Sequence, residues 1–436
     1  MAWGKKAGVD DLLQKLVNPK TAKSLYVMST RSISDPDFVK LASSISTNAL
    51  LEELYLSGHQ LGPLGLQAFA DCLATNSTLK HLSLGSEKLG DEAVKILCAG
   101  LARNSHPGLQ HWDLEFKSIG VDGAEAVAEL LKTNKSLTNV SLSRNQIGDE
   151  GVKKLAQGLS DNTASGVKEL HLSETGITGT GLDHLATLVG NENCSVTTIQ
   201  LSFNGLETAT SKFFDALATN NSVVKLQLKE CKLSDEHVAA LAVALQQNTT
   251  LEEVDLSDND LTQASCASLA GGLRENKALK VLRINNNKCQ DEGAVLLADV
   301  LAEQNSTLTY LDMGNNALTG TGMTPLLKAR ALTQLHLFNN KLGEGLSELL
   351  PALLANSVIE TFGIGANQLH EALSVTMLDA LHSHPSLKTL EMGGNTLGKE
   401  GHEALDKLKE ANRGLDVAVD KNAQNEDGSF DFQNQQ

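Results

Sequence analysis

The stretch LTNVSLSRNQIGDEGVKKLAQGLSDN, residues 137–162, contains the pattern that decides the fold. Leu137, Val140 and Leu142 have the spacing of a short strand, in which successive side chains point to opposite faces. After the turn at Asn145, the apolar residues take the spacing of one buried helical stripe. This stripe consists of Val152, Leu155, Ala156 and Leu159. The stretch therefore predicts a strand, a turn and an amphipathic helix.

The same pattern occurs thirteen times along the chain, with a mean period of about 28 residues. The copies begin at Leu51, Leu79, Leu109, Leu137, Val167, Val196, Val223, Leu251, Leu279, Leu308, Leu332, Ile359 and Leu387. A fixed period of this length predicts a solenoid, in which each repeat buries its apolar face against its neighbours. Such a protein presents an extended surface and no single closed pocket, which favours binding of a macromolecule over catalysis.

An asparagine lies at the corner after most of the predicted strands. We expect its amide to bond backbone groups that the turn leaves unpaired, so that stacked copies form a ladder. In four of the first five repeats the corner residue differs: it is His59, Glu87, Lys117 and Thr175. These replacements indicate either tolerated drift or an N-terminal half specialised for a partner. At the other end of the repeat, we expect Asn162 to end the helix in a left-handed conformation.

These residues resemble the ribonuclease-inhibitor class of leucine-rich repeats, which includes ribonuclease inhibitors, Ran GTPase-activating proteins and the repeat domains of NOD-like receptors. The resemblance covers about residues 24 to 418. It implies an α/β leucine-rich repeat solenoid shaped as a horseshoe, with parallel strands on the concave face and helices on the convex face.

The repeat boundaries predict three segments. Residues 1–50 form an N-terminal capping helix and a degenerate repeat, residues 51–418 the solenoid, and residues 419–436 a polar, disordered tail. One repeat is short, because only 24 residues separate Leu308 from Leu332, and Pro325 falls in its helix. We expect that helix to lose about one turn and the curvature to change there.

The composition limits the classes of partner. The formal charge of −17 opposes the phosphates of nucleic acids and anionic lipid surfaces, so we expect neither nucleic-acid binding nor membrane insertion. The charge is compatible with a basic protein partner, and it also keeps a large solenoid soluble. Six cysteines occur singly, which fits a reduced compartment. With no secretory signal and no run of transmembrane length, the sequence predicts a cytoplasmic protein.

Catalytic and cofactor motifs are absent from the sequence: it contains no HExxH, GxSxG or EF-hand loop. We therefore expect no enzyme activity, cofactor or metal. The nearest match is GGNTLGKE, residues 393–400, which fits GxxxxGK between a strand and a helix. A P-loop requires a hydroxyl after its lysine to hold Mg²⁺, and Glu400 takes that position. The sequence therefore argues against nucleotide binding.

The third, fifth and seventh positions of each repeat are predicted to point into the concave face. The residues proposed to bind a partner there are Glu53, Tyr55, Asp113, Glu115, Glu169, Glu253, Asp255, Tyr310, Asp312 and Phe338, with Phe116 and Phe203 on the adjoining rim. At these positions the only Lys or Arg residues are Lys225, Lys229 and Arg283. Exposed aromatic residues are common anchors of protein interfaces.

Three functions remain open from the sequence. The first is a non-enzymatic scaffold whose concave face binds a protein with basic patches. The second is a GTPase-activating protein similar to those for Ran, since HLFNNKLG, residues 336–343, resembles a strand-and-corner segment of that family and such proteins act on the GTPase's own site. The third is a ribonuclease inhibitor, although those proteins are richer in cysteine.

Overall fold

The computed structural model describes residues 8–419, 423–424 and 430–431. The chain divides into two compact units, unit 1 (Met1–Val223) and unit 2 (Val224–Gln436). Both units repeat one motif of strand, turn and helix.

Unit 1 contains seven parallel strands, each paired with the next one along the chain. They are β1 (Ser24–Tyr26), β2 (Glu53–Ser57), β3 (His81–Gly85), β4 (His111–Asp113), β5 (Asn139–Ser141), β6 (Glu169–His171) and β7 (Thr198–Gln200). Its helices are α1 (Asp10–Leu16), α2 (Asp35–Ser46), α3 (Pro63–Leu73), α4 (Gly90–Ala102), α5 (Val121–Leu131), α6 (Gly148–Asp161), α7 (Gly179–Val189) and α8 (Lys212–Thr219).

Unit 2 continues the pattern with eight parallel strands. They are β8 (Lys225–Gln227), β9 (Glu253–Asp255), β10 (Val281–Arg283), β11 (Tyr310–Asp312), β12 (Gln334–His336), β13 (Thr361–Gly363), β14 (Thr389–Glu391) and β15 (Asp416–Ala418). Its helices are α9 (Asp235–Leu245), α10 (Gln263–Glu275), α11 (Gln290–Glu303), α12 (Gly320–Leu326), α13 (Leu346–Ala355), α14 (Glu371–Ala380) and α15 (Gly398–Ala411), with a 3₁₀ turn at Gly343–Gly345. Two short strands, β16 (Ala423–Gln424) and β17 (Phe430–Asp431), pair antiparallel.

The core of each repeat is the apolar stripe that the sequence predicts. Val140 and Leu142, in the repeat that spans residues 137–162, are fully buried. In the α6 stripe of Val152, Leu155, Ala156 and Leu159, no residue is more than 4% exposed. Burial of each large side chain contributes roughly 1.5–3 kcal/mol. The side chains that alternate with them, such as Asn139 and Ser141, are only half-buried on the other face of the sheet. We call this other face the open sheet face. The predicted fold class, an α/β leucine-rich repeat solenoid, is confirmed.

The corner asparagines form the predicted ladder. The Asn145 amide donates to the carbonyl of Leu142 in its own repeat and to that of Leu114 in the preceding one, both at 2.8 Å. Its side-chain oxygen accepts the N–H groups of Lys117 and Ile119. Each corner therefore satisfies buried backbone groups of two repeats, which would otherwise destabilise the turn.

The prediction for Asn162 is wrong in its conformation. Asn162 has φ −93° and ψ 90°, and its amide donates to the carbonyls of Leu131 and Asn134 in the preceding repeat. The left-handed conformation occurs elsewhere, at the residue before the corner, such as Arg144 with φ 59°. Asn162 is therefore selected for its side-chain hydrogen bonds and not for a left-handed backbone.

Three of the four replaced corners keep the role of the asparagine. His59, Lys117 and Thr175 are buried and contact backbone carbonyls, whereas Glu87 is exposed. Lys117 also donates from Nζ to Ser57 Oγ at 2.9 Å, two repeats away. Burial lowers the pKa of Lys117, and the charges of Asp113 and Glu115 oppose that change.

The helix of the short repeat is shortened, as its spacing predicts, but by about two turns relative to α11 and not by one. Helix α12 has 7 residues and contains Pro325, whereas α11 has 14. The effect of the short repeat on the curvature stays a prediction. The bounds of the three predicted segments also stay predictions. Strand β1 of the first segment pairs with β2 in the same way as the later strands pair. Most of the predicted tail, residues 419–436, lies outside the described residues.

Candidate functional site

Four aromatic side chains form a row across the first strands of unit 1. The rings of Tyr26 and Tyr55 are parallel, with centroids 4.3 Å apart, and Tyr55 lies 4.6 Å from His81. His81 in turn lies 5.6 Å from His111. We call these four residues the aromatic row. Of these four residues, only Tyr55 was proposed from the sequence, because Tyr26 precedes the first full repeat at Leu51 and histidine was not considered at the strand positions.

The carboxylate of Glu53 lies beside this row and, among the described residues, accepts hydrogen bonds from two hydroxyl groups. Ser24 Oγ donates to Glu53 Oε2 at 2.8 Å, and the Tyr26 hydroxyl donates to the same atom at 3.2 Å. Burial raises the pKa of Tyr55 to about 12, with further contributions from Tyr26 and the charge of Glu53. No described Lys or Arg forms an ion pair with Glu53, and burial lowers the pKa of His81, whose charge would otherwise act on it.

Asp113 has a similar environment further along the open sheet face. Its two oxygens accept the Ser83 hydroxyl at 2.6 Å and the Glu115 backbone N–H at 2.9 Å. The charge of the Lys117 ammonium group acts on Asp113, but that group is buried and donates to Ser57 Oγ and to the Glu115 carbonyl. Glu169, in β6, lies 3.2 Å from His171 Nε2. Glu53 and Asp113 of unit 1 are thus held by neutral donors.

The rim beside β4 contains a cluster of charged side chains around an exposed aromatic ring. Arg144 Cζ lies 4.8 Å from the centroid of the Phe116 ring, and its guanidinium is 3.4 Å from Glu174 and 3.8 Å from Glu115. Phe116 is 51% exposed and has φ 53°. Together with Ser118 and other residues, this group lines a cavity of about 450 Å³. The second rim residue proposed from the sequence, Phe203, is 44% exposed with φ 63°.

In unit 2, Glu253 of the open sheet face is paired with two bases. Glu253 Oε1 lies 2.6 Å from Arg283 and 3.0 Å from Lys225. The same guanidinium stacks on Tyr310, 4.8 Å from the ring centroid. The negative charge of Glu253 is therefore compensated within the unit.

Asp255 and Asp312 are almost fully buried in the same row of strand positions. Burial raises the pKa of both carboxyl groups, and the charge of Arg283 opposes both increases. The backbone N–H groups of Ser257 and Gly314 donate to them at 2.9 Å. These two residues were proposed from the sequence as partner contacts, but the structure leaves only 3% and 5% of their surfaces accessible.

Two further contacts of unit 2 pass across a glycine. His336 Nδ1 is 3.0 Å from Glu391 Oε2, and the space between their strands is open because Gly363 has no side chain. Similarly, the ring of Phe338 lies over Gly365, where a Cβ would come within 2.9 Å of it. Phe338 is therefore half-buried. The charged and aromatic side chains on the open sheet face of unit 2 therefore mostly contact one another.

The GGNTLGKE segment does not have the free helix N-terminus of a P-loop. The backbone N–H of Glu400 donates to Glu371 Oε1 at 2.8 Å, so a carboxylate of this chain occupies the position of an anion. Lys399 is 88% exposed, and its nearest acid is Glu403 at 3.8 Å. Among residues 8–419, no group of three His, Cys, Asp or Glu side chains is arranged to hold a metal ion. No helix in the described part of the chain is both long and apolar enough to cross a bilayer.

Comparisons with known proteins agree with this geometry. A leucine-rich repeat family model matches residues 47–70, 133–156, 247–270, 304–327 and 383–405. The chain is 28% identical to the ribonuclease inhibitor of Sus scrofa over 91% of this chain and 75% of that protein. It is 27% identical to the ribonuclease inhibitor of Mus musculus over 92% of this chain and 77% of that protein.

Other matches are shorter or more distant. NACHT, LRR and PYD domains-containing protein 5 of Homo sapiens is 27% identical over 53% of this chain and 19% of that protein. A solved structure of TLR13 with ssRNA13 aligns with a TM-score of 0.51 at 17% identity, covering 93% of this chain and 55% of that one. That likeness concerns the fold alone. The repeats and the inhibitor relatives support a protein-interaction scaffold. This chain is a leucine-rich repeat protein similar to the ribonuclease inhibitors.

Proposed function

We propose that this protein is a non-enzymatic scaffold that binds a basic protein partner through the open sheet face of unit 1. The observation that carries the proposal is the difference between the two units. Glu53 and Asp113 accept hydroxyl and backbone donors, whereas Glu253 and Glu391 are paired with Arg283 and His336. An acid that forms no ion pair keeps more of its attraction for a positively charged partner.

The residues proposed from the sequence therefore divide into two groups. In unit 1, Glu53, Tyr55, Asp113, Glu115 and Phe116 are the favoured contacts, with Glu169 and Phe203 further along. In unit 2, Glu253, Asp255, Tyr310, Asp312 and Phe338 mainly stabilise the sheet face. We also propose that the protein is cytoplasmic, because its six cysteines are free, as is usual in a reduced compartment. Burial raises the pKa of the Cys72 and Cys98 thiols to about 12.

The experiment is quantitative capture of proteins from a cell extract on the immobilised chain. The test variant carries Asp113→Lys and Glu115→Lys, and the control carries Glu150→Lys, an exposed acid in α6. We expect the wild type and the control to retain the same basic proteins, and the test variant to lose them. A set of bound proteins that is acidic or unchanged in the test variant would contradict the proposal.

A second candidate is inhibition of a ribonuclease. It is favoured by the similarity to two ribonuclease inhibitors along more than nine tenths of this chain. It is tested by measuring cleavage of an RNA substrate by a panel of ribonucleases with and without a molar excess of the chain. Inhibition of one of them would identify the partner class, and no inhibition across the panel would reject this candidate. The GTPase-activating alternative has no such observation in its favour, and His336 of its matching segment is bonded to Glu391.

A further inference from the structure

Two arginines in the described part of the chain each stack on an aromatic ring beside a carboxylate. In unit 2, Arg283 lies over Tyr310 and contacts Glu253 at 2.6 Å. In unit 1, Arg144 lies over Phe116 and contacts Glu174 at 3.4 Å. A guanidinium group is planar and weakly hydrated, so it gains both from the ring face and from the carboxylate.

A third place has the ring and the carboxylate but no arginine of its own. Tyr26 stacks with one ring face on Tyr55, and its hydroxyl donates to Glu53. Strand β1 is the first of the described strands of the sheet, so no described strand covers the other face of the Tyr26 ring, and the residue is 63% exposed. Met28, two residues further on, is 77% exposed.

The basic residues nearby are occupied by other acids. Lys23 and Lys80 pair with Glu52, the residue before Glu53, at 3.7 Å and 3.0 Å. Arg31 is bonded to Asp11. Among the described residues, therefore, none supplies the cation that the two complete examples contain.

We propose that Tyr26 and Glu53 bind an arginine side chain of the protein partner. The guanidinium stacks on the outer face of Tyr26 and donates to the Glu53 carboxylate, and the apolar stem of the arginine packs against Met28. This inference rests on the proposed function, because it specifies which basic side chain the open sheet face of unit 1 selects. Lysine satisfies the carboxylate but stacks less well, since its ammonium group is compact and strongly hydrated.

The test uses octa-arginine and octa-lysine peptides as probes, titrated calorimetrically into the full chain at low ionic strength. We expect octa-arginine to bind roughly tenfold more tightly than octa-lysine, a difference in the range of a desolvated cation–π contact. Tyr26→Leu should remove this preference, and Tyr26→Phe, which keeps the ring, should retain it. Glu53→Gln should weaken the binding of both peptides. Glu52→Gln, the adjacent control, should keep the preference for octa-arginine over octa-lysine.

Equal affinity for the two peptides, or a preference that survives in Tyr26→Leu, would overturn the arginine site and leave charge-driven binding intact. Failure of both peptides to bind the wild-type chain would overturn the proposed function together with the inference. Because Tyr26 is exposed, Tyr26→Leu should fold normally, and circular dichroism checks that it does.

Discussion

His336 and Glu391 are joined by a hydrogen bond of 3.0 Å although a whole strand lies between them. His336 ends β12 and Glu391 ends β14, and both pair in register with Gly363 of β13. A Cβ at position 363 would lie 2.7 Å from Glu391 Oε2 and 3.0 Å from His336 Nδ1. The absence of a side chain at Gly363 therefore permits a direct link between two repeats that do not adjoin.

Gly363→Ala should break this link. Burial alone lowers the pKa of His336, but the hydrogen bond and charge of Glu391, with the charge of Asp312, raise it above its ordinary value. Once the methyl group separates the pair, the pKa of His336 should fall, as measured by NMR titration. The control is Gly271→Ala, where a Cβ meets no atom within 4 Å. An unchanged His336 pKa in Gly363→Ala would show that the bridge does not control this titration.

The same pair predicts how stability depends on pH. The folded-state pKa of His336 lies above its ordinary value of 6.5, so its contribution is fully present below pH 6.5. That contribution is lost as the pH rises through the folded-state pKa. The free energy of unfolding, measured with urea across this range, should therefore fall more steeply in the wild type than in His336→Gln. A parallel pH dependence of the two proteins would contradict this assignment.

The repeat phase is tested by deletion of core side chains. Leu142 of unit 1 and Leu256 of unit 2 are fully buried, so Leu→Ala at either position should lower the free energy of unfolding by about 2–5 kcal/mol. Leu64 in α3 is 62% exposed, and Leu64→Ala should cost about 0.5 kcal/mol or less. Equal effects at the buried and the exposed positions would mean that the repeats are wrongly phased.

The near match to a P-loop gives a prediction about nucleotides. Glu371 already accepts the Glu400 N–H at the start of α15, and its charge repels phosphate. Calorimetry should therefore detect no Mg²⁺-dependent binding of ATP or GTP, in the wild type or in Lys399→Ala. Heat of nucleotide binding that is lost in Lys399→Ala would contradict the non-enzymatic assignment.

Most of the fold could be predicted from the sequence because each repeat carries the same local rules. The apolar spacing around Leu142 and the corner asparagine at 145 each have one physical role, and both are confirmed. Strands β1 and β15 were not among the thirteen predicted, because their repeats lack the full pattern. Asn162 was misassigned because a residue that tolerates a left-handed backbone can also be selected for its amide.

The open sheet face was harder to predict because its chemistry depends on side chains in neighbouring repeats. Spacing placed Glu53 and Glu253 at equivalent positions, but it could not show that hydroxyls hold the first and Arg283 the second. The aromatic row was recognisable only in part, since Tyr26 lies in a degenerate repeat. A search for histidine at the third position of each repeat would have found His81 and His111.

The central claim is that Glu53 and Asp113 of unit 1, which form no described ion pair, attract a basic partner, and that the paired or buried acids of unit 2 do not. It is tested most directly by comparing two neutralised variants, Glu53→Gln with Asp113→Asn, and Glu253→Gln with Asp312→Asn. The measurement is the association rate constant of octa-arginine as a function of ionic strength. The unit 1 variant should associate more slowly and with a weaker salt dependence, while the unit 2 variant should resemble the wild type. An equal reduction of the association rate constant in both variants, or a reduction in the unit 2 variant alone, would contradict the central claim.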